Sequence, residues 1–237
     1  MTRPADPDAL QARAFPTADG ATPMMAQFLA LRAQAPLDAL LFYRMGDFYE
    51  LFFDDAVRAA EALDIALTRR GEHQGAPVPM CGVPVHSAQS YLARLIKAGF
   101  KVAIGEQTED PSEARKRGSK AVVNRAVVRI VTPGTLTEED LLDSRASNRI
   151  AALARTGKGE LALAWADVTD GAFEALALEP AALETELAAL NPAEILVQEE
   201  DLKRAEAACP AAAVTPRPAS KFDARAGERR LLERFAV

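Results

Sequence analysis

Cysteine is nearly absent from this chain: Cys81 and Cys209 are its only thiols, and they lie far apart. They match no metal-ligand spacing, and a reduced, cytoplasmic protein is the simplest reading. No uninterrupted apolar run approaches the ~20 residues that span a bilayer. The opening MTRPADPDAL is acidic and lacks an apolar segment, unlike a secretory signal. A G-x-x-x-x-G-K-[ST] phosphate loop is also missing. His73 and His86, the only histidines, lie in proline-flanked stretches with no Ser or Cys nucleophile at a recognisable elbow. The chain by itself is therefore not expected to be an enzyme, nor to hold a cofactor or metal.

The 237 residues suffice for one large or two medium domains with real cores. The net charge of -6 argues at first against a polyanionic partner. The charge is uneven, however: residues 1–130 carry 16 Lys+Arg against 15 Asp+Glu, and residues 131–237 carry 12 against 19. Nine basic and four acidic residues fall between Arg94 and Arg129. One half is thus suited to face nucleic acid while the other does something else, unless the asymmetry is only a solvated surface.

Residues 1–21, rich in Ala, Asp and Pro, read as a disordered arm. Thr22-Pro23 opens a helix to Gln34. Ala39–Arg44 reads as a strand, Gly46-Asp47 as a turn and Phe48–Phe53 as extended chain, before a helix over Ala56–Leu63. The prolines and glycine at 77, 79, 82 and 84 mark a loop. Ser87 caps a helix that ends before a left-handed Gly99. Strands follow over Lys101–Glu106 and Ala121–Val131, joined by a polar loop holding Arg115, Lys116, Arg117 and Lys120; the basic stretch 111–126 as a whole reads as a disordered loop or as an added contact to a polyanion. Residues 132–145 read as a linker. Beyond them, strands at 149–154, 161–167, 172–178 and 193–197, with helices at 179–190, 202–208 and 224–235, make a second α/β unit whose sheet looks unfinished. The expected domains are 22–131 and 146–237.

Asp167 and Asp170, on a strand and its turn, have the type of a ribonuclease-H-like metal pair. The further carboxylates are not placeable, and a turn role for Asp170 with an edge role for Asp167 is the stronger reading. The segment LLFYRMGDFYELFFDD (Leu40–Asp55) is more informative. On an extended strand Phe48 and Glu50 share one face, with Tyr49 and Leu51 on the other. An aromatic beside a carboxylate, just past a Gly-Asp turn, suits a probe of a base stack: apolar wedges unstack base steps at roughly a few kcal/mol, less at a mismatch. On spacing alone the stronger reading is that Phe48 is core, because F-x-E occurs by chance in many strands.

This segment strongly resembles the mismatch-binding domain of the bacterial DNA mismatch repair family MutS. Ordered matches follow in LDIALTRRG (Leu63–Gly71), PVPMCGVPVHSAQSYLARLIKAG (Pro77–Gly99), GEQTEDP (Gly105–Pro111) and VVRIVTPGT (Val127–Thr135). LALAWADVTDGAFEALAL and NPAEIL match the family's connector domain more weakly. The resemblance implies a mixed-sheet reader followed by an incomplete ribonuclease-H-like connector without nuclease activity. It places Phe48 on a mispaired or unpaired base, Glu50 in a hydrogen bond to it, and Met45 and Asp47 beside the distorted step. Arg70 and Arg125 would make backbone contacts. It further implies double-stranded DNA with a mismatch or small insertion as ligand, MutL as partner, and a cytoplasmic, nucleoid-associated location. ATP, Mg and homodimerisation would belong to domains of full-length relatives absent from this chain, which reads as truncated and monomeric. The competing readings are a protein-interaction module that does not itself read DNA, and a metal-dependent nuclease acting through Asp167.

Overall fold

A computed structural model of the chain describes residues 15–118, 121–136, 147–156 and 159–235. The arm over 1–14, the linker over 137–146 and Lys120 lie outside the described residues. The chain divides into two compact units between Thr132 and Pro133. No helix among the described residues is long and apolar enough to cross a membrane.

The first unit is a six-stranded sheet with helices. Helix α1 (Pro23–Gln34) starts where the Thr22 hydroxyl accepts the Met25 amide at 3.4 Å, with proline at the first helical position. Strands β1 (Ala39–Met45) and β2 (Phe48–Phe52) form a two-residue hairpin about Gly46-Asp47. Helix α2 (Phe53–Leu63) carries Asp54 and Asp55 in its first turn, where carboxylates favour the dipole. Strands β3 (Thr68–His73) and β4 (Ala76–Pro84), helix α3 (Ala88–Lys97), β5 (Lys101–Gln107), α4 (Pro111–Lys116) and β6 (Arg125–Val131) complete it. The strand order is β3-β4-β2-β1-β5-β6, with β1 and β5 parallel and the other neighbours antiparallel.

Strand alternation sorts the core. Met25, Phe28 and Leu31 of α1 pack on Leu41, Tyr43, Phe52 and Ala103, with the Phe28 ring 4.9 Å from Phe52 and 5.6 Å from Tyr43. Leu51 and its partner Cys81 face the other way, where the Cys81 thiol donates to the Ala56 carbonyl of α2. Arg32 and Asp55 are paired at 3.2 Å in the interior. Arg32 also donates to the carbonyls of Ala35, Pro36, Leu37 and Ala39, and Asp55 accepts the Leu41 amide. Burying that pair is tolerable because so many partners replace water.

Four expectations need correction here. The arm does not extend to residue 21. Phe15 packs edge-on against Phe53 and lies under the Arg32 guanidinium, and the Thr17 carbonyl bonds His73 Nε2 at 2.8 Å. The proline-marked loop is strand β4. Its prolines 77 and 79 fall where only β3 pairs with it, so one side has no ladder to lose. Ser87 is not a side-chain cap, because its hydroxyl donates to the Pro84 carbonyl; Gly99 does stop the helix region with φ +84. The basic loop is in part helix α4, capped by Asp110 and started by Pro111.

The second unit has five strands: β7 (Arg149–Arg155), β8 (Leu161–Asp167), β9 (Phe173–Leu178), β10 (Glu194–Val197) and β11 (Ala213–Pro216). Their order is β11-β10-β7-β8-β9. Strands β7, β8 and β9 make an antiparallel meander, and β10 and β11 run parallel to β7. This is the mixed, ribonuclease-H-like arrangement expected of a connector, with β11 as a strand the sequence reading did not place. Helices α5 (Leu183–Leu190) and α6 (Leu202–Ala208) cover Leu153, Leu163, Ile195 and Val197. In helix α7 (Ala224–Phe235) no described residue is buried, and Phe235 stacks on Phe173 at 6.1 Å.

The Pro133–Thr135 turn belongs to this unit rather than to a linker. Its Gly134 amide donates to Glu194, and the Leu136 carbonyl accepts from Asn148. A Cβ at Gly134 would sit 2.8 Å from that of Glu194 and 2.9 Å from that of Ile150, so only glycine fits.

Candidate nucleic-acid interface

Strand β2 runs from core to solvent along one face. Phe52 is fully buried under α1, Glu50 is 9 % exposed and Phe48, at the hairpin tip, is 46 % exposed. Tyr43 lies directly across from Glu50 and Met45 from Phe48. Gly82 of β4 stands opposite Glu50 on the other side, and a Cβ there would touch both Glu50 and Phe48. Phe48 and Glu50 therefore share a face, as their spacing predicts. Phe48 is not core: helix α1 covers the base of this face and leaves its outer end open.

Glu50 is held there by Arg70, whose Nη1 donates to both carboxylate oxygens. Burial raises the Glu50 pKa above the ordinary carboxylate range against the opposing charges of Arg70 and, more weakly, Arg125. Burial likewise pushes the neighbouring Tyr43 phenol up to about 12. The Tyr43 hydroxyl donates to Gln27 at 2.6 Å.

Arg125 is engaged within the domain. It donates to the Arg44 carbonyl at 2.7 Å, to Gln27 and the Val123 carbonyl at 2.8 Å, and approaches the Met45 sulfur at 3.8 Å. Its guanidinium lies 4.6 Å from the Tyr43 ring centroid, within cation–π range. Met45 is half-buried beside it, while Asp47 is exposed at the turn, its carbonyl accepting the Val85 amide. On the opposite face the Tyr49 hydroxyl donates to Glu106, and Arg44 lies over the Tyr49 ring.

Six residues named from the sequence thus fall around one hairpin. Gln27, Tyr43 and Glu106, which hold that hairpin, were not among them. Tyr43 was findable by counting register back across the two-residue turn. Gln27 and Glu106 come from α1 and β5, and no local signal marks them.

The basic stretch after β5 is partly neutralised: Arg117 pairs with Glu109 and Lys116 with Glu113, each at 2.5 Å. In the second unit Asp167 accepts the Asn148 amide and both the amide and hydroxyl of Thr169. Burial alone would raise its pKa, but these donors and Ser147 bring it below the ordinary range. Asp170 accepts the Ala172 amide. Both carboxylates act as turn acceptors, and the nuclease reading gains nothing from them.

A mixed α/β domain that presents an aromatic and a carboxylate at the open end of its sheet is thus followed by a second mixed α/β domain. Two family models match: MutS domain I over residues 22–140 and MutS domain II over residues 148–237. The chain belongs to the MutS family. It is 58 % identical over 219 residues to the DNA mismatch repair protein MutS of Paracoccus denitrificans, covering 92 % of this chain and 25 % of that protein. The proteins of the same name from Ruegeria sp. and Ruegeria pomeroyi are 54 % and 55 % identical; each alignment covers 91 % of this chain and 25 % of the relative. The chain thus spans about a quarter of the length of these curated relatives.

Proposed function

We propose that the first unit reads mispaired or unpaired bases in duplex DNA, with Phe48 as the wedge and Glu50 as the hydrogen-bonding partner of the displaced base. The observation that carries this reading is the graded exposure along β2, from Phe52 at 0 % through Glu50 at 9 % to Phe48 at 46 %. An exposed aromatic ring anchored on a packed strand is able to stack on a base, a contact worth about 1–3 kcal/mol. Unstacking a paired step costs a few kcal/mol, and less where pairing is already lost, so the same wedge favours mismatches.

Glu50 adds a second filter. Burial disfavours its ionised form, so a base edge that offers a partner relieves a cost that an intact duplex leaves in place. Met45 and Asp47 flank the wedge and lie beside the distorted step. Arg125, with its donors engaged by Arg44, Gln27, Val123 and Met45, holds the hairpin rather than a phosphate. The second unit acts as the connector. ATP-dependent dimer action and recruitment of MutL are proposed for longer chains of the family, on the resemblance.

The test is binding of the chain, at low salt, to a labelled duplex with one G·T mismatch or one unpaired T, beside the perfect match. Preference for the mismatch that Phe48→Ala removes supports the reading. Preference that survives Phe48→Ala overturns the role given to Phe48. Binding of a partner by the second unit, with no DNA binding by a folded sample, favours the interaction module instead.

A further inference from the structure

Arg70 sits on an irregularity of the sheet. Between the pairs Arg69–Pro79 and Glu72–Pro77, strand β3 places two residues, Arg70 and Gly71, against Val78 alone. Gly71 has φ +65, a left-handed backbone that glycine adopts without strain and that turns the chain at this bulge. Bulges bend a strand and re-aim its side chains. Here β4 separates β3 from β2, and the Arg70 guanidinium reaches across it to Glu50. Every residue of β3 before His73 is exposed, so no core packing accounts for this aim.

The two partners are unequally placed. The Arg70 side chain is 41 % exposed and that of Glu50 12 %. Both Arg70 bonds use one nitrogen, Nη1, and Glu50 is its sole ion-pair partner among the described residues. With 41 % of its side chain exposed and only Nη1 bonded to Glu50, Arg70 has donor capacity left for a second acceptor. A base edge arriving at Glu50 competes for the oxygens that Arg70 occupies. A phosphate oxygen is the acceptor that compensates the guanidinium for their loss.

We propose that Arg70 is a positioning residue that fixes the Glu50 carboxylate on the Phe48 face in the free protein and transfers to a DNA phosphate when Glu50 engages a base. This rests on the reading of Phe48 and Glu50 given above. It makes Arg70 a source of specificity: on a matched duplex no base reaches Glu50, the pair stays closed and the phosphate contact is not gained. Arg70 would otherwise be an ordinary backbone contact, equally useful on every sequence.

Two measurements test it. The first needs no DNA: the Glu50 carboxyl is titrated by carbon NMR in the wild-type chain, Arg70→Gln and Arg70→Lys. The charged and titratable groups facing Glu50 are Arg70 from β3, Arg125 from β6 and Tyr43 from β1. Glu50 titrates at higher pH in Arg70→Gln and returns toward wild type in Arg70→Lys, which keeps the charge. An unchanged midpoint in a sample with native amide dispersion overturns the proposal.

The second is a cycle of Arg70→Gln and Glu50→Gln, read as the ratio of mismatch to matched-duplex affinity. Arg70→Gln lowers that ratio about tenfold, the weight of one charge-assisted hydrogen bond, and leaves it unchanged in the Glu50→Gln background. Equal loss on both duplexes in both backgrounds reduces Arg70 to a backbone contact and overturns the proposal. Failure of the Phe48 reading shows separately, as mismatch preference that persists in Phe48→Ala.

Discussion

Replacing Gly134 with alanine tests the close approach at the start of the second unit. The new methyl would meet the Cβ atoms of Glu194 and Ile150 at 2.8 and 2.9 Å. These two residues are direct partners on β10 and β7, so neither Cβ is able to move without shifting the sheet. Overpacking of this kind costs about 1–3 kcal/mol. Displacing the turn also weakens the Gly134 amide bond to Glu194, for about 1 kcal/mol more. A total of about 3 kcal/mol, at a urea dependence of about 1.5 kcal/mol per molar, lowers the unfolding midpoint by roughly 2 M. The assay is specific to this unit because the chain's single tryptophan, Trp165, lies on β8 against its core. Gly227→Ala is the control. Gly227 has open space around it on α7, whose described residues are all unburied. That substitution raises helix content, by up to about 1 kcal/mol of propensity, while barely moving the Trp165 midpoint. A Gly134→Ala midpoint within about 0.3 M of wild type would refute the steric argument.

Two further outcomes are expected. Asp55→Ala leaves the Arg32 charge inside the first unit without its carboxylate, which costs about 3–5 kcal/mol. The thermal midpoint of that unit, followed by circular dichroism, falls by on the order of 10 °C; an unchanged midpoint would mean that the four carbonyls around Arg32 satisfy it alone. Acid should loosen the chain after α4. The Arg117 guanidinium and the Asn124 amide hold the Glu109 pKa down at about 2. A depressed carboxylate stabilises above its unfolded pKa, and the contribution is lost as pH falls from about 4.5 toward about 2. The Asn124 amide, bonded to Glu109 at 2.6 Å, should then lose hydrogen-exchange protection in that window.

The shared face of Phe48 and Glu50 was legible because its information is local, whereas Met45, Asp47, Arg70 and Arg125 were named only through the resemblance. A turn dipeptide, alternation along β2 and a conspicuous segment placed Phe48 and Glu50 on one face without any tertiary knowledge. What escaped was non-local. Strands β3 and β4 were hidden by prolines that are tolerated only because β2 does not pair with that half of β4. Their joining turn is Gln74-Gly75, both at positive φ, rather than the Asn-Gly that advertises a hairpin. Strand β11 is four residues long and ends in Pro216, which an edge position allows. Helix α4 did carry a local signal, Asp110-Pro111 with Glu113 three residues after the cap, overshadowed by the basic residues behind it. The pairing of Arg70 with Glu50 depends on a bulge and on the neighbour order of three strands, which no window of sequence displays.

The strands that carry the hairpin, β1 and β2, are the middle pair of six, flanked by β4 and β5. Deflecting Phe48 therefore means shearing several ladders at once, not lifting a free edge. Pressed against a duplex, such a tip is the harder of the two bodies. The strain is taken up by the DNA, which is softest at a step whose bases are not properly paired. On the proposed reading, discrimination becomes a comparison of compliance: the protein would serve as a rigid gauge, and the damaged step would identify itself by how readily it gives way.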